Sequence, residues 1–260
     1  MTTENIQIRV LGPVSIVVAG RAVPLGYAKQ RCVLALLALE AGTVVSPERI
    51  IERVWGAQAP ESARGVLYGH VARLRRAFHD SHNGHGRGIL QRRSGGYSLD
   101  VTPDVVDLYQ FRLLAGRARE AGDDASRVAL WREALGLWHG PALSCVDGAW
   151  VSAMRVSLEQ ERLSTRLSMC DARVRLGLDD IVLPELAELA ADHPMHEGVA
   201  ARLMLALYRT GHPASALEYF NRLRHRLAEQ LGADPGPELA ELQLRMLRRE
   251  VPTKTVAMSA

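Results

Sequence analysis

The chain has 260 residues, 47% of them hydrophobic and 23% charged, which is the balance of a globular protein with one large domain or two ordinary ones. No apolar run approaches the ~18 residues that a membrane-spanning helix needs, and the first ten residues lack the basic flank and apolar core of a secretory signal. A membrane protein and a secreted protein are therefore not expected, and we expect the chain to be cytoplasmic.

Three cysteines, Cys32, Cys145 and Cys170, lie far apart in stretches with a helical pattern. Their spacing matches neither a metal site nor a redox pair, which favours a reducing compartment. We expect all three to be buried as small apolar side chains.

The net charge of +3 is unevenly distributed along the chain. Residues 1–105 hold 13 Lys and Arg against 8 Asp and Glu, whereas the remainder holds 19 against 21. Between Arg64 and Arg93 there are seven arginines and one acid, Asp80. A basic cluster on a nearly neutral chain indicates a local site for a polyanion.

The first elements have the pattern of short strands. Three runs rich in β-branched residues (IQIRVLG, SIVVAG and RAVPL) are separated by Gly12-Pro13 and by Gly20, and they predict a small antiparallel sheet. Helical patterns then cover residues 29–42, 46–56 and 63–78. Ser46 can cap the second of these helices, with Pro47 in its first turn.

The segment ILQRRSGGYSLDV predicts two short strands around Ser94-Gly95-Gly96, which is a hairpin signal. A sheet, three helices and a hairpin, in that order, form the layout of a winged helix with an added N-terminal sheet. We place this domain at residues 1–103. The fold class is accordingly mainly α with a small β component.

Residues 104–249 are predicted to form an all-α domain. Gly177 and Gly211 lie 34 residues apart, which is the tetratricopeptide period, and apolar or small residues follow each of them at the same spacings. This pattern favours stacked, tetratricopeptide-like helical hairpins, and the alternative is an unrelated bundle with a chance spacing. Residues 250–260 have no usable period and are predicted to be a disordered tail.

The third helix separates into two faces when residues are placed 100° apart. One face is an apolar stripe that can pack on the two preceding helices. The opposite face is basic with small residues between the arginines, and Arg64, Tyr68 and Arg75 lie at its side. The stripe consists of Leu67, Val71, Leu74 and Phe78, and the opposite face of Gly65, Gly69, Ala72, Arg73 and Arg76. Glycine inside a helix costs about 1 kcal/mol relative to alanine, so two on an exposed face indicate close approach to another surface.

A solvated basic face is the alternative interpretation of this helix, and two neighbouring features favour DNA over it. Arg92 and Arg93 stand beside the hairpin turn, and the Ser46-Pro47 helix start offers free N–H groups for a phosphate. A helix sized for the major groove with a basic hairpin beside it is the geometry of double-stranded DNA recognition. A membrane-binding helix would need a wider apolar face.

Several segments resemble the Streptomyces antibiotic regulatory protein family. In the first half they are LGPVSIVVAGRAVPLG, AKQRCVLALLALEAGTVVSPERIIERVWG, HVARLRRAF and SGGYSL, which resemble an OmpR-type winged helix-turn-helix. In the second half they are ALGLWHGPAL, HPMHEGVAARLMLALYRTGHPASALEYF and LGADPGPELAEL, which resemble the bacterial transcriptional activator domain. The chain has no G-x-x-x-x-G-K-[ST] motif, so it is similar to the small members, which lack an ATPase module.

The resemblance implies an activator of an antibiotic (secondary-metabolite) biosynthetic gene cluster, associated with the nucleoid. Such a protein would bind direct repeats near the promoter −35 element, where a homodimer could form, and would recruit RNA polymerase holoenzyme through its sigma factor.

The resemblance also implies roles for individual residues. Arg93 would enter the minor groove, Trp55 would contact a phosphate, and the loop from Gly56 to Glu61 would face polymerase. The positions that match the recognition helix are His70, Arg73, Arg75 and Arg76. Tyr68-Gly69 and Arg92 depart from the common family pattern.

Two other classes of function compete with this interpretation. An enzyme is disfavoured because no catalytic set or phosphate loop is present, and we expect no cofactor and no metal site. The only suggestive cluster, His79, His82 and His85, is interpreted as a flexible linker. The other alternative is a scaffold that binds a peptide or effector in a helical groove near Tyr208 and Tyr219, although these aromatics can equally be core.

Overall fold

The computed structural model describes residues 6–81 and 88–252, with side chains described except at residues 80 and 81. The chain divides into two compact units, the first formed by residues 1–120 and 129–165 and the second by residues 121–128 and 166–260. The fold is a winged helix followed by helices, so the predicted fold class is confirmed.

The first unit begins with a three-stranded antiparallel sheet of β1 (Ile6–Arg9), β2 (Ser15–Val18) and β3 (Arg21–Val23), in the order β1-β2-β3. Ile8 pairs with Ile16, and both side chains are fully buried. In β1, buried and partly buried residues alternate, so one face of this strand packs inward.

Three helices follow the sheet, α1 (Ala28–Leu39), α2 (Pro47–Trp55) and α3 (Ala63–Ser81). Every residue of α1 from Cys32 to Ala38 is buried, because this apolar helix packs against α2, α3 and the strand at Gly96–Leu99. The predicted N-cap of α2 is present, since the Ser46 hydroxyl accepts a hydrogen bond from the Arg49 amide at 3.2 Å.

A hairpin of β4 (Leu90–Arg93) and β5 (Gly96–Leu99) forms the wing. Ser94 and Gly95 make its two-residue turn, and Gly95 has the positive φ (88°) that such turns require. The wing is joined to the loop between α1 and α2, because the amides of Val45 and Tyr97 each donate to the carbonyl of the other, at 2.8 and 2.9 Å.

The hydrophobic core of the first unit does not end at residue 103. The unit also contains α4 (Asp107–Glu120) and parts of α5 (Asp124–Gly136) and α6 (Ala149–Arg175). The segment between α5 and α6 runs beside the chain that follows β1, with hydrogen bonds from the His139 amide to Leu11 and from the Leu143 amide to Val10. Side chains between Leu108 and Leu158 therefore share one core with the sheet and α1.

Asp107 joins α4 to the N-terminal sheet. Its carboxylate is 1% exposed and accepts hydrogen bonds from the amides of Val10 and Leu11 at 2.9–3.0 Å. Burial raises the pKa of this carboxyl to about 6, against the opposing effect of these amide donors.

We expect Asp107→Ala to lower the free energy of unfolding by about 2–3 kcal/mol, because it leaves buried amides of Val10 and Leu11 without an acceptor. The urea midpoint of the full chain measures this loss. Asp104→Ala, which removes an exposed carboxylate three residues earlier, should leave the midpoint unchanged. Equal midpoints for both variants and the unaltered chain would contradict the structural role of Asp107.

The second unit consists of the start of α5, the second part of α6 and four further helices. The four are α7 (Asp179–Asp192), α8 (Glu197–Arg209), α9 (Pro213–Leu231) and α10 (Pro237–Leu247). Gly177 and Gly211 both have positive φ, 76° and 86°, and each lies in the turn between two helices. The 34-residue spacing therefore reflects two successive helix–turn–helix units.

The cysteines, Tyr208 and the C-terminal tail each bear on an expectation drawn from the sequence. Cys32 and Cys170 are buried, but the expectation for Cys145 is wrong, because this exposed residue lies in the irregular segment between α5 and α6 and not in a helix. Tyr208 is buried and donates its hydroxyl to the Met246 carbonyl at 3.2 Å, so it belongs to the core and does not line a groove. Residues 253–260, most of the predicted tail, lie outside the described residues.

Candidate DNA interface

The faces of α3 are those that the helical wheel predicts. The apolar stripe packs inward, and each of its side chains is at most 2% exposed: Leu67, Val71, Leu74 and Phe78. The opposite face is open to solvent at Gly65, Ala72, Arg73 and Arg76. A Cβ at Gly65 would have no atom within 4 Å, so this glycine has no packing role inside the protein.

Arg73 lies flat against the helix and is held on two sides. Its Nε donates to the Oε1 atom of Gln30 in α1 at 3.1 Å, and its Nη2 lies 2.8 Å from Nδ1 of His70. The guanidinium crosses above Gly69, where an added Cβ would be 3.6 Å from Nη1. The two glycines thus differ, since a Cβ at Gly69 would contact Arg73, whereas a Cβ at Gly65 would contact nothing.

His70 departs from the position that the resemblance gives it. It is 5% exposed and stacks on Trp55, with ring centroids 6.0 Å apart and an interplanar angle of 27°. It therefore lies behind Arg73 and not on the face open to DNA. Burial, together with the nearby Arg73 charge, lowers the pKa of His70, which favours a neutral ring that can accept a hydrogen bond from Arg73.

Arg75 connects α3 to the wing. Its Nε donates to the Leu90 carbonyl at 2.9 Å, and its guanidinium lies 5.8 Å from the centre of the Tyr97 ring. Arg75 lies at the side of α3, as the helical wheel predicts. It is exposed to solvent and also supports the hairpin through these two contacts.

The two wing arginines have different surroundings. Arg93 forms an ion pair with Asp100, and hydrogen bonds from Ser98 and Arg93 lower the pKa of that carboxyl. Arg92 is exposed beside the turn and lines two solvent clefts. Arg92 is thus available to a polyanion, whereas Arg93 would have to exchange Asp100 for it.

One of these clefts lies between the wing and the N-terminal ends of α2 and α3. It has a volume of about 330 Å³ and lies between the N-terminus of α2, the first turns of α3 and the hairpin turn. Tyr68 is 41% exposed at its edge and contacts Tyr97 edge to face. Arg64 also lines the cleft and pairs with Glu48, both side chains being largely exposed. The arrangement can hold a phosphate between cationic groups.

Two residues of the interface have no signal in the sequence pattern. Gln30 sits in an otherwise apolar helix and contacts Arg73, 43 residues away. Gly96 allows the wing to approach Val45, and this contact depends on tertiary structure. His82 and His85, from the histidine-rich loop, lie outside the described residues.

A helix-turn-helix with an exposed basic face and an arginine-bearing wing defines a DNA-binding protein of the winged-helix class. Two family models match the chain in this order. The model described as "Transcriptional regulatory protein, C terminal" matches residues 21–99, and the model described as "Bacterial transcriptional activator domain" matches residues 106–247.

Individual relatives agree with these matches. The chain is 41% identical over 256 residues to the regulatory protein DnrI of Streptomyces peucetius, covering 94% of this chain and 93% of DnrI. It is 32% identical to the transcriptional regulator RedD of Streptomyces coelicolor, covering 94% of this chain and 71% of RedD. Identity to the regulatory protein AfsR of Streptomyces griseus is 35%, covering 96% of this chain but only 25% of AfsR.

A solved structure of Mycobacterium tuberculosis EmbR in complex with a low-affinity phosphopeptide has a TM-score of 0.89 to this chain at 28% sequence identity, covering 94% of this chain and 65% of EmbR. The chain therefore belongs to the Streptomyces antibiotic regulatory protein family, as a DNA-binding transcriptional regulator and not an enzyme. Among residues 6–81 and 88–252, no helix is long and apolar enough to cross a membrane.

Proposed function

We propose that this regulator activates an antibiotic or other secondary-metabolite gene cluster by binding direct repeats near the promoter −35 element. The observation that carries the proposal is the exposed face of α3, where Arg73 and Arg76 lie open to solvent among small residues and Arg76 lines one cleft with Arg92 of the wing. DnrI and RedD, whose sequences each align with 94% of this chain, are named as regulators.

Within this proposal, the residues divide by the part of DNA that they contact. Arg73 and Arg76 read base edges in the major groove, with Gly65, Gly69 and Ala72 allowing the close approach. Arg92 and Arg93 reach the adjacent minor groove or backbone. Phosphates on either side are held by groups at the edges of α3 and the end of α2: Trp55, Arg64, Tyr68 and Arg75. His70, which is buried, supports Arg73 from behind.

The partner proteins are part of the same proposal. The short helical turn at Gly56–Gln58 and the residues after it, up to Glu61, are all exposed, which suits them to contact the sigma factor of RNA polymerase. Direct repeats would place two copies of the chain side by side as a homodimer on DNA. A regulator acting in this way would be associated with the nucleoid.

The proposal is tested by measuring Kd for a promoter fragment from the neighbouring gene cluster and for a scrambled fragment at one fixed salt concentration. We expect Arg73→Ala to weaken promoter binding by ~1–3 kcal/mol and to relax specificity. Arg92→Ala should weaken both fragments alike and reduce the salt dependence.

Two outcomes would count against the proposal. If the unaltered chain binds both fragments equally, it is not a sequence-specific activator of that cluster. If Arg73→Ala keeps the promoter preference of the unaltered chain, the outward face of α3 does not read the bases.

A further inference from the structure

Gln30 is a buried polar residue in the first turn of α1, with 2% of its surface exposed. Its side-chain oxygen points to α3 and accepts the hydrogen bond from Nε of Arg73 at 3.1 Å. Because Gln30 is covered, it cannot itself contact DNA. Any effect that it has on recognition must pass through the groups that it contacts.

Arg73 is the group through which Gln30 can act. The guanidinium is fixed at Nε by Gln30 and at Nη2 by His70, while Trp55 stacks behind the His70 ring. A guanidinium has five N–H donors, so two engaged donors leave three for another partner. Gly69 lies under the guanidinium, where an added Cβ would make ordinary van der Waals contact with Nη1 at 3.6 Å.

Fixing an arginine in this way has a physical consequence for recognition. A free arginine side chain loses about 2 kcal/mol of rotamer entropy when one conformation is selected. Bidentate contact with a base also requires the donors to point in one direction. A side chain held in place before DNA arrives has already met both conditions.

We propose that Gln30 is a positioning residue for DNA recognition, which sets the base specificity of the regulator by holding the Arg73 guanidinium in its reading orientation. The proposal rests on the proposed function, in which Arg73 contacts base edges. A residue that merely fills the space between α1 and α3 would instead affect stability and the binding of every DNA sequence together.

A double-mutant cycle on the full-length chain separates these two roles. The variants are Gln30→Met, which keeps the length of the side chain without the amide oxygen, Arg73→Ala, and the two combined. Each is titrated with the promoter fragment and with the scrambled fragment, and thermal melting reports whether each variant is folded.

We expect Gln30→Met to weaken promoter binding by about fivefold to tenfold, with scrambled DNA bound as before. In the Arg73→Ala background, the same change should alter promoter binding by less than about twofold, because its target is gone. Gln30→Glu, which retains an acceptor oxygen for Nε, should keep more of the promoter preference than Gln30→Met, and it provides the test if the methionine variant does not fold.

The outcomes distinguish failure of this proposal from failure of the proposed function. Equal effects of Gln30→Met in both backgrounds, or equal weakening of both DNA fragments, would show a packing role and overturn the positioning role. A folded Gln30→Glu variant without promoter preference would do the same. If Arg73→Ala alone has no effect, the base-reading role of Arg73 fails first, and the positioning role fails with it.

Discussion

Replacing Gly96 with alanine will disrupt the contact between the wing and the loop that precedes α2. A Cβ on this residue would lie 2.1 Å from the Val45 carbonyl oxygen and 2.6 Å from its carbon, both backbone atoms that cannot turn aside. The two backbone hydrogen bonds between Val45 and Tyr97 would have to break. This loss is costly because both residues are buried in the native protein. We expect the free energy of unfolding to fall by about 3 kcal/mol.

The loss is measured by urea unfolding, and promoter binding should weaken with it because the wing carries Arg92. The neighbouring Gly95 provides the control, since it has the positive φ but no atom within 4 Å of an added Cβ. Gly95→Asn should cost only about 1 kcal/mol, because asparagine tolerates this conformation. A Gly96→Ala variant as stable as the control would show that the wing does not rest on Val45 as described.

Replacing Gly65 with leucine will separate stability from DNA binding. Since nothing lies within 4 Å of an added Cβ, the folded protein gains no clash, and leucine is the better helix former by up to about 1 kcal/mol. We therefore expect an equal or higher melting temperature. Promoter affinity should nevertheless fall at least ~10-fold, because the side chain occupies the space that the DNA needs.

Gly136 is a matched control for this variant. It is an exposed helical glycine in α5 with no neighbour within 4 Å of an added Cβ, and it has no place in the proposed interface. Because Gly136 is the last residue of α5, Gly136→Leu should change the melting temperature little, and the Kd for promoter DNA should stay unchanged. If Gly65→Leu binds the promoter as tightly as Gly136→Leu does, the exposed glycine face of α3 is not the surface that approaches DNA.

Much of this fold follows from local patterns in the sequence. The alternation of Ile6 and Ile8, the N-cap at Ser46 and the apolar stripe of α3 each depend on residues a few positions apart, so periodicity and capping rules identify them. The same rules place Arg73 and Arg76 on the exposed face, because the opposite face must pack inward.

Contacts between distant segments are what the patterns miss. Gln30 appears as a polar interruption in an apolar helix until Arg73 is brought beside it. The burial of His70 behind Arg73 depends on Trp55, from the preceding helix. The segment around Cys145 does not form the helix expected for it, because its backbone runs beside the chain after β1 and forms an irregular bend there. In each case the partner is chosen by tertiary packing, which a single sequence does not display.

The shared core of the first unit limits where two related regulators can be recombined to transfer DNA specificity from one to the other. Phe111 and Trp138 belong to the same hydrophobic core as the N-terminal sheet and α1. Their rings pack edge to face, with the ring centroids 5.5 Å apart. A recombinant joined at residue 103 would set one parent's winged helix against the other parent's core side chains. The first unit runs to residue 165. The segment that must be exchanged as a whole to transfer DNA recognition is therefore longer than the matched winged-helix segment at residues 21–99.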